Sequence, residues 1–474
     1  MKYKVCFNLF ITFISCLISL YIVFLYDGYE GYEFIFILPL SFGVFTLLSI
    51  EMFCKCIPDN FGVTILYFLL FFRNVIFPLF YTLGRYKNEF GVSLSDIMNK
   101  AIWLSVYEMF FIFIALNICS SKQKKIIKKL KYIEEKQAYN IQKMRILVLM
   151  LLLIFVGTFI IVPQCSKFYM NILEITNVKF SNNEMSAVID IYATSFISKF
   201  VLVLHNYLTK IIRFILPLHL IMEIHKKNKR NSGYIFCLVL SSVSIIIIDG
   251  TIARGIVYAI ILMLLTCIIY KKEDRFFVIS IIFIVVVITY FFIRAVILSR
   301  LEVGIWSYLS SYVGSYFSSI ANTAANIRME LSLESRVTYF LYDFLESIPF
   351  GNTLFGLEKI SYQKEFNIIN NSYGQIPTTI GTAYTYFGFF LSPIYSFFFT
   401  KITYKAGLVA QKSKVTLKKG VYLLLSVYCS MAITMYYIKI VLVVILGTIL
   451  PMIIMIKIIE KSKMRREQCS NGIK

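Results

Sequence analysis

The chain has 474 residues, of which 58% are hydrophobic and only 16% charged, against about 25% charged in soluble domains. Its apolar residues stand in nearly uncharged blocks of roughly 17–22, long enough to cross a ~30 Å hydrocarbon core as helices, which excludes a soluble globular enzyme and a β-barrel built of short alternating strands. The formal charge of +22 then belongs to the cytoplasmic edges of membrane helices and not to a nucleic-acid partner.

In chain order the blocks predict helix 1 over about 5–26, helix 2 over 33–53, helix 3 over 61–80, helix 4 over 101–119 and helix 5 over 146–163. A mixed block, 191–224, holds helix 6 in its second half. Helices 7, 8 and 9 follow at 233–249, 253–270 and 276–294, and helices 10, 11 and 12 at 379–400, 420–437 and 440–458. The expectation is an all-α polytopic membrane protein of about 12 transmembrane helices. Residues 1–294 carry helices 1–9, residues 295–378 form one long segment, and residues 379–474 carry helices 10–12 and a basic tail.

Lys and Arg accumulate at cytoplasmic membrane edges, so charge predicts the orientation. The basic stretches are Lys2 and Lys4, Lys122 to Lys136, the 225–230 gap, Lys401 to Lys419, and Lys461 to Arg466. All fall on one side if twelve helices place both termini in the cytoplasm. The opposite gaps are weakly charged or acidic, as at Asp27 and Glu30. The 295–378 segment, with five cations and seven anions for a net −2, obeys the same rule and lies outside. A connection this long is rarely without structure of its own. Within it, Val337, Phe340, Leu341, Phe344, Leu345 and Ile348 recur at helical spacing, and Pro349 ends the pattern. That predicts an amphipathic helix over 332–348, at the membrane surface or over the bundle.

Few residues carry chemistry. Among ten Cys, those inside apolar blocks serve as small hydrophobes, and the Cys54–Cys56 pair has no ligand set nearby. His205 and His219 read as core or interfacial residues. No Walker motif, dinucleotide fingerprint, zincin or nucleophile-elbow motif occurs. No cofactor is predicted. Asp249 and Arg254 sit in a short turn between helices 7 and 8, as ordinary interfacial charges or, for Arg254, as a phosphate-binding fork. Arg336 is open to the same two readings, the first being a cation that reaches back to the interface. Arg73 stands in an otherwise apolar block, where a charge tends to face the protein interior. Lys199, Lys210 and Arg213 make a cationic stripe only if the helix runs continuously through them, and the sequence favours an interruption. Arg300 closes helix 9, and Asn371, Ser372 and Tyr373 form a polar patch before helix 10.

The stretch SRVTYFLYDFLESIPFGNTLFG, followed by NNSYGQIPTTIGTAYTYFGFFLSPIYSF, resembles the O-antigen polymerase and ligase superfamily. Arg336, Tyr339, Pro349, Gly351 and Gly356 carry the first half of the likeness, and Asn371, Tyr373, Tyr386 and Gly388 the second. Ala253–Gly255 is similar to that family's Arg-Gly helix start. Residues 295–378 contain no His, which departs from the ligases, and the likeness points to Wzy-type repeat-unit polymerases. The resemblance implies a GT-C-like glycosyltransferase of the bacterial inner membrane. Its substrates are undecaprenyl-diphosphate-linked glycans as donor and acceptor, its surroundings are membrane lipids, and a polysaccharide chain-length regulator is a further partner. The implied catalytic residues are Arg254, Arg336 and Asp249, with Asp343 or Glu334 as other candidate bases, and Arg73, Arg213, Arg300, Asn371 and Tyr373 would bind substrate. The rival class is a lipid-linked oligosaccharide flippase or other polysaccharide transporter, which would want charge deep among the spans.

Overall fold

In lipid a backbone has no hydrogen-bond partner but itself, so long uncharged runs close into helices. The computed structural model describes residues 2–26, 31–57, 59–85, 90–135, 141–168, 195–226, 305–316, 319–351, 355, 361–413 and 416–459, and these contain no strand. The helices are α1 (Lys2–Leu25), α2 (Ile37–Leu48), α3 (Ile50–Cys56), α4 (Phe61–Gly84), α5 (Ser95–Ser121), α6 (Gln123–Glu135), α7 (Ile141–Ile161) and α8 (Phe196–Lys226). They continue with α9 (Ile305–Tyr316), α10 (Ile320–Arg328), α11 (Leu333–Ser347), α12 (Tyr362–Ile369), α13 (Thr379–Phe387), α14 (Ile394–Lys412), α15 (Thr416–Thr434) and α16 (Ile438–Ile459).

Six of these, within α1, α4, α5, α7, α8 and α16, are long and apolar enough to cross a membrane, and α2 with α3 adds a broken candidate. The described residues are helical without strands, and the chain is a multi-pass membrane protein. Helices 7, 8 and 9, with Asp249, Arg254 and Arg300, lie outside the described residues.

Three sequence expectations are corrected. Helix 2 is α2 and α3, bent by 73° at Ser49, whose hydroxyl accepts a 2.8 Å hydrogen bond from the Asn117 amide. Helix 10 is α13 and α14, because Gly388 takes φ +80°, a conformation essentially reserved to glycine, and Pro393 follows before the chain re-enters a helix. Block 191–224 contains one continuous 31-residue helix, α8, running through Pro217. At about 100° per residue, Lys199, Lys210 and Arg213 therefore do share a face. The predicted amphipathic helix over 332–348 is present as α11, one residue shorter at each end.

Proline also shapes two spans. Pro lacks an N–H and its ring crowds the carbonyl four residues back. A π turn at Phe72–Ile76 precedes Pro78, and another at Ile445–Ile449 precedes Pro451, at the same two-residue distance. The first π turn carries Arg73 and Asn74, and the Asn74 amide donates to the Leu70 carbonyl at 3.0 Å.

The chain divides into two units. The first comprises Met1–Lys131, Ile288–Lys412 and Tyr422–Ile445. In it α1 lies along α2, α14 packs on α4 and α5, and α10 packs on α5 and α13. Gly62 and Gly407 permit the closest approaches, since a Cβ on Gly62 would strike Ser426 and Thr403, and one on Gly407 would strike Asn60. Small residues of this kind let membrane helices pack by direct backbone contact. The ends of its helices fall into two sets. Lys4 reaches Asp59 and the Cys54 carbonyl, and Asn60 reaches the Tyr404 carbonyl. At the other set, Gly91 bonds the Asn371 carbonyl and Lys439 meets Asp343.

The second unit comprises Tyr132–Val287, Ser413–Val421 and Leu446–Lys474. Here α7 packs on α8. His205 is buried on that contact, with Nδ1 2.6 Å from the Thr158 hydroxyl and its ring stacked on Phe155. It fills the core position expected of it.

Candidate functional site

Two polar centres occupy the first unit. One lies among the spans. The other forms where the 305–387 region docks on them.

In the first, Arg73 on α4 is 7% exposed and Glu108 on α5 is 1% exposed. A charge buried in an apolar bundle needs a partner, and Arg73 Nη1 donates to Glu108 Oε2 at 2.9 Å. The same nitrogen donates to the Ile433 carbonyl at 2.9 Å, and the Ser396 hydroxyl donates to Glu108 Oε1. One ion pair thus ties α4, α5, α14 and α15. A small cavity beside it is lined by Leu38, Arg73, Asn74, Phe77, Tyr81, Ser105, Ser319 and Ile320.

The second centre is built by α10 to α13. Ser319 caps α10, accepting from the Asn322 N–H at 3.0 Å, and Ser332 caps α11, accepting from the Ser335 N–H at 3.2 Å. Such caps satisfy backbone donors that the first turn leaves open. A buried polar layer joins the helices. The Tyr362 hydroxyl lies 2.8 Å from Asn326 Oδ1 and 3.0 Å from Thr385 Oγ1. Asn322 donates to the Ile376 carbonyl at 2.8 Å, Thr323 to Thr378 at 3.1 Å, and Asn370 to the Ala325 carbonyl at 3.3 Å. Aromatic rings close around it, with Tyr339, Tyr362, Tyr386 and Phe340 packed edge to face at centroid distances of 5.2 to 5.9 Å.

Against this layer, α11 presents Asp343, 3% exposed. Its Oδ2 accepts the Tyr386 hydroxyl at 2.7 Å, and Lys439 Nζ lies 3.5 Å from Oδ1 while also pairing with Glu346. Burial raises the Asp343 carboxyl to about 6, against the opposing pull of Lys439 and the Tyr386 hydrogen bond. Two carboxylates share one ammonium, so the cluster carries a net negative charge that a proton can cancel. Burial also holds the Tyr362 hydroxyl above the usual tyrosine range. Arg336, seven residues before Asp343 and thus on nearly the same face, is half-buried and donates from Nε to the Leu331 carbonyl at 2.9 Å.

The sequence-predicted residues are not gathered into one constellation. Arg336 and Asp343 share α11, whereas Arg73 is held in the span-level ion pair. Asn371 occupies a left-handed turn whose carbonyl accepts from Gly91, and Tyr373 beyond it is 92% exposed. Arg213 lies on α8 in the second unit. Among the described residues no hydrogen bond or ion pair joins Arg73, Arg336, Asn371 and Tyr373, and no group of three or more His, Cys, Asp or Glu is placed to hold a metal ion. Sequence reasoning missed Glu108, Glu346 and Lys439 as partners. Two of them had a signal: Glu108 stands inside the apolar block 101–119, and Lys439 is the one cation between helices 11 and 12. A comparison of the chain with protein-family models, with curated proteins and with solved structures gives no match.

Proposed function

We propose that this chain polymerises undecaprenyl-diphosphate-linked oligosaccharide repeat units into a surface polysaccharide, O-antigen or capsule, on the outer face of the bacterial inner membrane. In this reading it has about twelve spans with both termini in the cytoplasm and a GT-C-like plan. The observation that carries the proposal is the folded state of the outer region. Residues of 319–351 and 361–387 build a buried polar layer against the spans, and one helix, α11, brings Arg336 and Asp343 to the same side of it.

The chemistry requires a sugar hydroxyl of one lipid-linked unit to attack the anomeric carbon of another. The glycosidic bond forms as the bond to the diphosphate breaks. Asp343, with a carboxyl near neutrality, suits a group that takes the hydroxyl proton. The leaving diphosphate gathers charge, and Arg336 with Arg254 would meet it as fixed donors. No cofactor is invoked, since the diphosphate is already a good leaving group.

Purified protein given undecaprenyl-diphosphate-linked repeat units in detergent should produce a ladder of chain lengths. Arg336→Ala or Arg254→Ala should slow it on the order of 10²-fold, with the protein still folded. The transporter reading is favoured by one observation, the buried Arg73–Glu108 ion pair among the spans, with a small cavity beside it lined from α2, α4, α5 and the start of α10. Movement of the lipid-linked units across a liposome bilayer, with no ladder, would replace the polymerase reading by that one.

A further inference from the structure

Helix α11 is amphipathic in the sense opposite to a helix on a water-soluble protein. Its polar residues Asp343 and Ser347 face inward and are buried and Glu334 is exposed in the first turn, while Leu333 is 77% exposed, Val337 49%, Leu341 48% and Phe344 47%. At about 100° per residue these four side chains fall within an arc of about 80°. In water a helix hides its apolar stripe and shows its polar one. Burying the polar stripe and exposing the apolar one is the arrangement that an apolar solvent selects.

The depth of α11 points the same way. Its Phe340 packs on Phe387 at the end of α13, with ring centroids 5.4 Å apart. Two residues on, Phe389 stacks on Tyr107 at 5.0 Å, and the Phe390 carbonyl accepts the Tyr107 hydroxyl at 3.3 Å. Tyr107 is the thirteenth residue of the 27 in α5, about 18 Å from its start at 1.5 Å per residue. Phe389, Phe390 and Leu391, together with Trp103 and Phe110 of α5, are themselves exposed apolar residues at this depth. The helix thus lies beside the end turns of the spans, with Asp343 meeting Lys439 at the start of α16 and Phe340 reaching through Phe387 toward the middle of α5.

We propose that the outward face of α11, Leu333, Val337, Leu341 and Phe344, is immersed in the acyl chains of the adjoining leaflet. The segment that carries the polar layer is then a lipid-embedded wall of the bundle, with hydrocarbon on one side of α11 and the Asp343 cluster on the other. The occupant is bilayer lipid and not a second copy of the chain, because four half-exposed side chains offer only a few hundred Å², well short of the ~800 Å² per partner of a stable interface. The inference holds whichever reaction the chain performs.

The test uses the wild-type protein in vesicles of phosphatidylcholine and phosphatidylglycerol, with two probes read by peptide mass spectrometry. One is a phosphatidylcholine bearing a diazirine in its acyl chain, and the other is hydroxyl radical generated in the water. Acyl-chain adducts on Val337, Leu341 and Phe344, at a yield comparable to the exposed Ile160 of α7, are expected. The same residues should resist the radical while Tyr373 is oxidised. Oxidation of the α11 stripe by the aqueous radical would overturn the proposal. So would labelling by neither probe, which would mean that protein covers the stripe.

Discussion

The two polar centres of the first unit solve the same problem in different ways. Each keeps charge away from water, and each uses a carboxylate with a cation. At Arg73 and Glu108 the charges balance one for one, and each group also bonds a neutral partner, the Ile433 carbonyl or the Ser396 hydroxyl. At Asp343 the count is two carboxylates to one ammonium, with a tyrosine hydroxyl beside them. A balanced pair has one stable state and acts as a tie between helices. An unbalanced cluster has two, protonated and not, and this one sits where α11 meets the start of α16. The difference teaches that in this molecule burial alone does not leave a group free to change its charge; surplus charge does.

The largest expected effect breaks the balance of the first centre. Arg73→Met leaves Glu108 buried and unpaired, which should cost about 3–5 kcal/mol, read as a fall in the unfolding midpoint in detergent. Adding Glu108→Met removes the orphaned charge and should recover most of the loss, because a buried ion pair exchanged for apolar residues is often nearly neutral. A double variant as unstable as the single one would mean that the site does more than tie helices.

The second centre should reveal itself through pH. The Asp343 carboxyl stands near 6 in the folded protein and near 3.9 in an unfolded chain. The folded state therefore holds the proton more tightly, and the stabilisation is fully present below about pH 4 and lost as pH rises through about 6. The unfolding midpoint should fall over that window, by an amount equivalent to about 3 kcal/mol at most. Asp343→Asn should flatten the profile there, and the Arg73→Met variant should leave it in place. If Asp343 takes the acceptor's proton, polymerisation should rise through the same window in the wild-type protein. An unchanged stability profile in Asp343→Asn would remove the titrating role from this cluster.

How much of this was legible in advance follows from what sequence patterns encode. Hydrophobic length shows directly in a run of residues, so α1, α4, α5, α7 and α16 are where the blocks predict them. The α11 helix carried its own stop in Pro349. Breaks set by a single torsion are harder: only the fold reveals that Gly388 takes a positive φ and splits helix 10. Partnerships between distant residues are harder still. Arg73 and Glu108 are 35 positions apart, and Asp343 and Lys439 nearly a hundred, with no spacing rule to join them. The sidedness of α11 was half legible. Periodicity marked two faces, but which one met the protein depends on the solvent, and the sequence pattern is the same for water and for lipid.

The smallest effect sharpens that last point. The first turn of α11 is set by Ser332, which accepts from the Ser335 N–H. Ser332→Ala should cost about 1 kcal/mol, too little to unfold the bundle. The loss is local, so it should appear as faster amide exchange over the first turn of α11, with no change at Arg73 or Glu108. If lipid rather than water lies beside this helix, the freed N–H has no solvent to turn to. The cost should then be larger in vesicles than in a detergent whose thinner shell lets water reach the turn. Equal exchange in the two media would place the start of α11 in water and confine the lipid contact to its later turns.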